Sequence, residues 1–145
     1  ELDKIETKKP IFVKLSPDLS EKVVDDILLV LKKHRVHGII CTNLTKNKNG
    51  KGGISGKSVQ NLSDNLLAYI YKKEKDSFTL IGCGGVFNAE DAYKKIRLGA
   101  SLIQMITGMI FEGPQVIGEI NKGLVDLLKR DNFKNISEAI GIDNR

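Results

Sequence analysis

Polar residues interrupt or end the first two apolar runs of this sequence, where they could bind a planar, anionic ligand. The ammonium of Lys14 could neutralise an anion or stabilise a reduced cofactor. A solvent-facing lysine on an edge strand is the alternative, but apolar Val13 and Leu15 on either side favour a central strand and a functional role. Thr42 and Asn43 end the second run. The amide of Asn43 suits imide or carboxylate groups, although an Asx turn would explain it equally well.

Three glycine-containing turns could present backbone amides to a phosphate: residues 52–56, 82–85 and 107–108. The second of these turns leads toward a predicted helix, where unpaired N–H groups and the helix dipole attract anions. Such turns after consecutive strands match the phosphate site that eight-fold βα barrels build after their last two strands. The sequence therefore predicts that the chain binds a phosphorylated cofactor.

Groups for proton transfer and metal binding are missing from these positions. No carboxylate ends a predicted strand as a general base, and no metal-ligand spacing occurs. His34 and His37 flank a predicted helix end, and we expect structural or surface roles for both. Cys41 and Cys83 lie inside apolar runs without a CxxC pattern, which predicts reduced core thiols. We therefore assign no catalytic residue and no metal ligand to this chain.

Four short apolar runs predict the β-strands that position these residues: 11–16, 38–43, 78–83 and 101–106. A segment with helical spacing of apolar residues follows each run. Asp18 with Glu21 predicts a capping pair for the first helix, and the second is expected over residues 59–73. Asn88 is expected to cap the third helix, Gly99 to end it, and Pro114 to open the fourth. Residues 45–57 are expected to form a loop, and residues 137–140 a short helical turn.

The alternation of strands and helices predicts an α/β fold. Four successive βα units require a parallel sheet with right-handed crossovers, and the apolar strands indicate that both sheet faces are covered. Two architectures satisfy this pattern: an open doubly wound sheet, or four consecutive units of a (β/α)8 barrel. The chain has 145 residues, which fits one domain but is too short for a complete barrel of about 250 residues.

The charge balance alone does not identify a partner. Lysine and arginine number 23 against 18 acidic residues, which gives a net charge of +5. Aromatic residues make up only 6% and tryptophan is missing, so surfaces for stacking bases are scarce and we expect no nucleic-acid partner. The lysines come in pairs, such as Lys94 and Lys95, which indicates a solvated surface. No apolar run approaches the roughly 20 residues that span a bilayer, so no transmembrane segment is expected.

Five ordered motifs resemble the dihydroorotate dehydrogenase family: residues 13–19, 41–43, 52–56, 81–86 and 99–104. The Pro-Asp-Leu of residues 17–19 and the Gly-Gly-Ile-Ser-Gly of residues 52–56 are most similar to the quinone-dependent, class 2 branch. The resemblance covers nearly the whole chain but only the second half of the family's barrel. It implies a TIM barrel, of which residues 1–145 would form the carboxyl-terminal half with no second domain.

The resemblance also implies an activity and a role for each site residue. The activity is FMN-dependent oxidation of dihydroorotate to orotate in de novo pyrimidine synthesis, with quinone as acceptor. Lys14 would contact the isoalloxazine and stabilise the reduced flavin. Further flavin and phosphate contacts, many through backbone, would come from Thr42, Gly56, Gly84, Gly85, Ile106 and Thr107. Asn43 and Leu44 would lie at the substrate, where Leu44 replaces a hydroxyl residue usual in the family and loses its hydrogen bond.

Several parts of the family's site lie in the half of the barrel that this sequence does not include. They are the catalytic serine base, further substrate asparagines, several FMN contacts and the amino-terminal helices of the quinone tunnel. The isolated chain is therefore predicted to be inactive. A half barrel leaves two unpaired edges, so we expect it to pair with the amino-terminal half or with itself. The expected location is cytoplasmic, or peripheral on the inner face of a membrane when joined to a class 2 amino-terminal region.

Two other interpretations remain open at this point. The chain could form another phosphate- or flavin-binding barrel with a different substrate, which the leucine at position 44 supports. It could also be a non-catalytic fragment or the product of a split gene.

Overall fold

A computed structural model describes residues 8–47 and 50–144 as a parallel sheet with helices packed against it. The strands are β1 (Phe12–Leu15), β2 (Gly38–Cys41), β3 (Thr45–Lys46), β4 (Gly53–Ile54), β5 (Thr79–Cys83) and β6 (Leu102–Gln104). The helices are α1 (Glu21–Lys33), α2 (Gln60–Glu74), α3 (Ala89–Leu98), α4 (Thr107–Glu112), α5 (Val116–Arg130) and α6 (Ile136–Ala139). Short 3-10 turns occupy Gly56–Val59 and Ile142–Asn144.

The strand order decides between the two predicted architectures. The sheet has the order β1-β2-β5-β6, so each strand pairs in parallel with the one before it. Right-handed crossovers that always advance in one direction place every helix on the same face. A doubly wound sheet would instead reverse its direction and carry helices on both faces. The fold is therefore four consecutive units of a (β/α)8 barrel, which is the architecture that the family resemblance implied.

Side chains from the two edges of the sheet contact each other across one of its faces. Lys14 lies on β1 and Gln104 on β6, at opposite edges of the sheet, yet the Lys14 Nζ is 3.5 Å from the Gln104 Oε1. The predicted central position of the Lys14 strand is wrong for the described residues, because β1 is an edge strand.

The two faces of the sheet have different surroundings. Alternate strand residues, including Leu15, Ile39 and Leu80, are buried in the core beneath α1 and α2. We call this face the helix side. The intervening residues Lys14, Ile40, Ile81 and Leu102 share one register row on the opposite face, which we call the open side. No helix of the described residues covers the open side, and Leu102 is 57% exposed there.

The helix ends confirm some of the predicted caps and correct one. The Asn88 side chain accepts a hydrogen bond from the Asp91 N–H at 2.8 Å, and Gly99 ends α3 with a φ of 126°. Both predictions are confirmed. The predicted cap at Asp18 is wrong, since α1 begins at Glu21 after Ser20. The carboxylate of Asp18 instead accepts bonds from the Thr45 hydroxyl and from the Lys46 N–H.

Two short elements lie where the sequence did not predict them. Residues 45–57, expected to be a loop, include the antiparallel ribbon of β3 and β4, with Thr45 paired to Ile54 and Lys46 to Gly53. Strands of two residues are too short to show an alternating pattern, and this ribbon is held by Asp18 from an earlier segment. Helix α4 begins at Thr107, separated by two residues from the end of β6, without a side-chain cap that would mark its start.

Candidate functional site

A cavity of about 170 Å³ lies at the carboxyl ends of the parallel strands. All nine residues that the sequence predicted for binding line it: Lys14, Thr42, Asn43, Leu44, Gly56, Gly84, Gly85, Ile106 and Thr107. The other lining residues are Ser55, Val59, Cys83, Val86, Met105 and Gly108. Ser55, Cys83 and Gly108 fall within the three predicted glycine-containing turns. Val86 and Met105 each adjoin a predicted residue in the chain, and only Val59 among these six does not. Strand ends from all four βα units therefore meet at a single cavity.

Thr42 and Asn43 are held in place by the strands on either side of them. The Thr42 N–H donates to the Cys83 carbonyl at 2.6 Å, and the Asn43 N–H donates to the Leu15 carbonyl at 2.8 Å. The two residues thus bridge β1 and β5 just beyond the end of β2. Thr42 is only 1% exposed, and its hydroxyl donates to the Asn43 carbonyl at 3.0 Å. This pairing fixes the backbone at one wall of the cavity.

The side chain of Asn43 has a defined polarity. Its Oδ1 accepts the Leu44 N–H at 3.0 Å, so its NH₂ group is the part that can donate to a ligand acceptor. The alternative of an Asx turn does not form. In an Asx turn the side-chain oxygen accepts the N–H of the residue two positions on, whereas here it accepts the N–H of the next residue. Leu44 is 46% exposed, and its side chain lies against Gly53 of the ribbon, where a Cβ would overlap it. Leu44 thereby gives the cavity an apolar segment next to a hydrogen-bond donor.

Glycines form much of the cavity wall because there is no room for side chains. Gly85 has a φ of +75°, and a Cβ there would overlap the Gln60 side chain. Gly56 has a φ of +79°, and its Cβ would lie 3.0 Å from the Thr107 Cγ2. L-residues with a side chain rarely adopt this conformation. Backbone amides are therefore accessible in the cavity where side chains would otherwise obstruct a ligand.

Two hydroxyl groups join the glycine loop to the end of the last strand. The Ser55 Oγ is 3.0 Å from the Thr107 Oγ1, and both residues line the cavity. Helix α4 starts at Thr107, so a helix start lies at the cavity as predicted for the end of a barrel. The start of α3 does not line the cavity, and its Asp91 N–H already donates to the Asn88 side chain. The amides after β5 and β6, rather than α3, are thus the predicted anion donors.

The charge of the cavity is positive. Lys14 is exposed, and it is the one charged residue among the described lining residues. No carboxylate occurs among them. An anionic group in this cavity would therefore encounter an ammonium, hydroxyl groups and backbone N–H groups without a neighbouring negative charge.

A clamp outside the cavity holds the glycine loop against α3. The Lys57 Nζ lies 2.8 Å and 2.6 Å from the two carboxylate oxygens of Asp91. The Gln60 Nε2 and the Phe87 N–H also donate to this carboxylate, at 2.6 Å and 3.0 Å. Burial opposes ionisation of Asp91, but these donors outweigh it and lower its pKa. Asp91 therefore remains charged and keeps Lys57 next to the loop.

A buried lysine lies behind the cavity wall, contrary to the sequence prediction. Lys94 is exposed as expected, but the Lys95 side chain is 0% exposed, so its predicted place on a solvated surface is wrong. Its Nζ contacts Ser63 and Asp64 of α2. Lys95 lies three residues after Ala92 on the buried face of α3. Helical spacing alone would favour burial there, but a lysine favours exposure, so the sequence does not decide between them.

The cysteines and His37 have structural surroundings. Cys41 and Cys83 are free, buried thiols, as predicted, and burial raises the pKa of Cys41 to about 12. The His37 Nδ1 accepts the Ile11 N–H at 3.0 Å, which ties the entries of β1 and β2 together. Within residues 8–47 and 50–144, no three His, Cys, Asp or Glu side chains group into a metal site. In the same residues, every helix is too short or too polar to cross a membrane.

Comparisons with known proteins agree on one family. A family model described as "Dihydroorotate dehydrogenase" matches residues 1–128. The "Dihydroorotate dehydrogenase (quinone), mitochondrial" of Arabidopsis thaliana is 43% identical, covering 94% of this chain and 32% of that protein. The "Dihydroorotate dehydrogenase (quinone)" of Trichodesmium erythraeum is 38% identical, covering 97% of this chain and 41% of that protein. A crystal structure of DHODH from Eimeria tenella in complex with ferulenol matches with a TM-score of 0.86 and 34% identity, over 92% of this chain and 38% of that chain. The chain thus spans well under half the length of these relatives.

Proposed function

The chain belongs to the dihydroorotate dehydrogenase family, and we propose that it supplies one half of an enzyme that oxidises dihydroorotate to orotate with a quinone as acceptor. The observation that carries this proposal is the cavity, where all nine residues expected from the family's motifs converge from four βα units. Relatives named dihydroorotate dehydrogenase (quinone) support the reaction and its acceptor. Such an enzyme is an oxidoreductase of pyrimidine biosynthesis.

The residues of the cavity fit FMN as the cofactor. Gly56 and Gly85 leave backbone exposed where a Cβ would collide with neighbouring side chains, so a flat ring or a phosphate can approach the chain closely. Thr107 and Gly84 would add hydroxyl and amide donors for the phosphate end, together with Ile106 through its backbone. When bound, FMN would accept two electrons from the substrate and pass them to the quinone.

Lys14 is the residue that we propose for charge compensation. Its ammonium is the one positive charge among the described residues of the cavity, and reduction of a flavin places negative charge on its ring. The Gln104 Oε1, 3.5 Å from the Lys14 Nζ, orients the lysine from the opposite edge of the sheet. Lys14 would therefore favour the reduced cofactor without transferring a proton itself.

Asn43 and Leu44 would lie at the substrate end of the cavity. With its Oδ1 bonded to the Leu44 N–H, Asn43 would donate from Nδ2 to a carbonyl or carboxylate oxygen of dihydroorotate. Leu44 offers only apolar contact at the neighbouring position. Leucine in place of the hydroxyl residue usual in the family supports a second candidate. This candidate is a flavin barrel of the same family architecture that acts on a different substrate.

We further propose that the chain is the carboxyl-terminal half of the barrel and needs a companion. Ligand pockets usually enclose about 300–1,000 Å³, so the cavity of about 170 Å³ is one wall of a larger site. The edges at β1 and β6 are unpaired among the described residues, and an apolar groove of about 520 Å³ runs between β6 and α5. The missing amino-terminal half of the family's barrel is the partner that would cover this groove and the open side.

The test is titration of FMN onto the 145-residue chain, followed by anaerobic addition of dihydroorotate. We expect flavin fluorescence to change on binding, and Lys14→Ala to weaken binding relative to the exposed control Lys72→Ala. The chain alone should not bleach the flavin, whereas the chain with a co-expressed amino-terminal half should. Flavin binding with bleaching by another substrate only would establish the second candidate. Absence of flavin binding with and without the companion would overturn the proposed cofactor.

A further inference from the structure

The last carbonyl groups of β2 and β5 share one buried hydroxyl. The Ser63 Oγ donates to the Cys83 carbonyl at 2.7 Å and lies 3.2 Å from the Cys41 carbonyl. Cys41 directly precedes Thr42, and Cys83 directly precedes Gly84. The Cys83 carbonyl also accepts the Thr42 N–H at 2.6 Å, so the Ser63 hydroxyl adds a second bond there. The hydroxyl thereby constrains the chain at the point where both cavity-lining turns begin.

Helix α2 also packs directly against one of these turns. A Cβ at Gly84 would lie 3.3 Å from the Ser63 Cβ and 3.0 Å from the Val59 Cγ2. Ser63 itself is 0% exposed. A displacement of Ser63 would therefore displace the Gly84 turn, since no space separates them.

Lys95 determines how the Ser63 hydroxyl can point. The Lys95 Nζ donates to the Ser63 Oγ at 2.8 Å and to the Asp64 Oδ1 at 2.6 Å. Ammonium groups only donate, so this bond occupies a lone pair of Ser63 and leaves its hydrogen for a carbonyl. Without the ammonium, the hydroxyl could rotate away from the strand ends.

The charge of Lys95 is expensive to bury and is compensated locally. Asp64 is 4% exposed, and Lys94 approaches its other carboxylate oxygen at 2.8 Å from the surface. Apolar residues of similar volume often replace a buried ion pair with no loss of stability. Stability alone therefore does not require a lysine here, whereas orientation of Ser63 does.

We propose that Lys95 and Ser63 are positioning residues, which hold the Thr42–Asn43 and Gly84–Gly85 turns in the arrangement that binds the cavity's ligand. That the ligand is FMN rests on the proposed function. The positioning itself concerns only the chain and can be measured without any ligand.

The test compares Ser63→Ala and the double variant Lys95→Met, Asp64→Leu with the unmodified chain. The double variant removes the ammonium without leaving a buried carboxylate unpaired, so it should fold. Hydrogen exchange followed by mass spectrometry should show about tenfold faster exchange in residues 41–44 and 83–86, because a hydrogen bond to a polarised group is lost. Exchange in α5 should not change. FMN, used as the probe in a separate titration, should bind about tenfold more weakly.

Ser77→Ala and Lys72→Met, both at exposed positions, are the matched controls and should change neither exchange nor binding. Unchanged exchange in the two turns of a folded double variant would overturn the proposal. Faster exchange spread equally over the whole chain would also overturn it, since that indicates a general loss of stability. If FMN binds neither the unmodified chain nor the chain with its companion half, the cofactor proposal fails while the exchange result still decides the positioning role.

Discussion

The helix side and the open side of the sheet contain similar residues in very different surroundings. On the helix side, Leu80 is 1% exposed beneath the helices, whereas Leu102 on the open side is 57% exposed. Both belong to short strands of the same sheet. Leu80 is buried by residues of this chain, whereas the described residues leave Leu102 exposed. The helix side of the sheet thus has a packed hydrophobic core, whereas the open side is not covered by the described residues.

The largest expected effect compares the same substitution on the two sides. Leu80→Ala should lower the free energy of unfolding by about 2–5 kcal/mol, because it leaves a cavity in a packed core. Leu102→Ala should change it by no more than about 0.5 kcal/mol, because the side chain is exposed. Urea unfolding followed by circular dichroism measures both. Equal losses would show that the open side is already a packed core.

Substitution of two glycines gives a second contrast, in which the free energy of unfolding should change in opposite directions. Gly85→Ala at the cavity should destabilise the chain by about 1–3 kcal/mol, since its Cβ would overlap Gln60 at a positive φ. Gly118→Ala in α5 meets nothing within 4 Å and should stabilise by about 0.5–1 kcal/mol. Urea unfolding gives the two values. A stabilising Gly85→Ala would contradict the tight packing of the cavity wall.

Helix α3, which packs beside the sheet, also depends on a local cap. Asn88→Ala removes the side-chain acceptor of the Asp91 N–H and should cost about 1 kcal/mol of unfolding free energy. Asn121→Ala, at an exposed position within α5, is the control and should cost nothing. Thermal unfolding of both variants would measure the difference. A cost at Asn121 as large as at Asn88 would rule out the cap as the cause.

Acid should act on the helix side through Asp131. Hydrogen bonds from Arg130 and Tyr93 lower the pKa of Asp131 from 3.8 to about 2. The pKa of Asp131 is lower in the folded chain than in the unfolded chain. The resulting stabilisation is therefore fully present above about pH 3.8 and is lost as the pH falls toward 2. Asp131→Asn should therefore lose less stability than the unmodified chain between about pH 5 and pH 2. Urea unfolding at both pH values tests this, and identical acid losses would contradict it.

Much of the fold could be predicted from local patterns. The run at residues 78–83 became β5 (Thr79–Cys83), because a short apolar run bounded by polar residues and glycine suits a buried strand. Asn88 and Gly99 marked the ends of α3 through their own side chain and backbone freedom. The nine site residues converge because parallel strands bring their carboxyl ends to one edge, whatever their distance in the chain.

The predictions that failed concern residues whose partners lie far along the chain. Asp18 resembles a cap beside Glu21, but it bonds Thr45 of the ribbon 27 positions away. Lys14 looked central because the strand's own sequence does not show which neighbours pair with it. Neither local spacing nor residue type distinguishes these outcomes.

The sequence by itself determined the four βα units, their order and the residue types at the strand ends, since these follow from periodicity and chain direction. Only the tertiary structure decided that the crossovers advance in one direction, that the open side lacks a cover among the described residues, and that Lys95 is buried. Lys95 can be buried because its charge is compensated by Asp64, 31 positions earlier in the chain. Packing of α3 on α2 brings the two together, and no local pattern contains that contact.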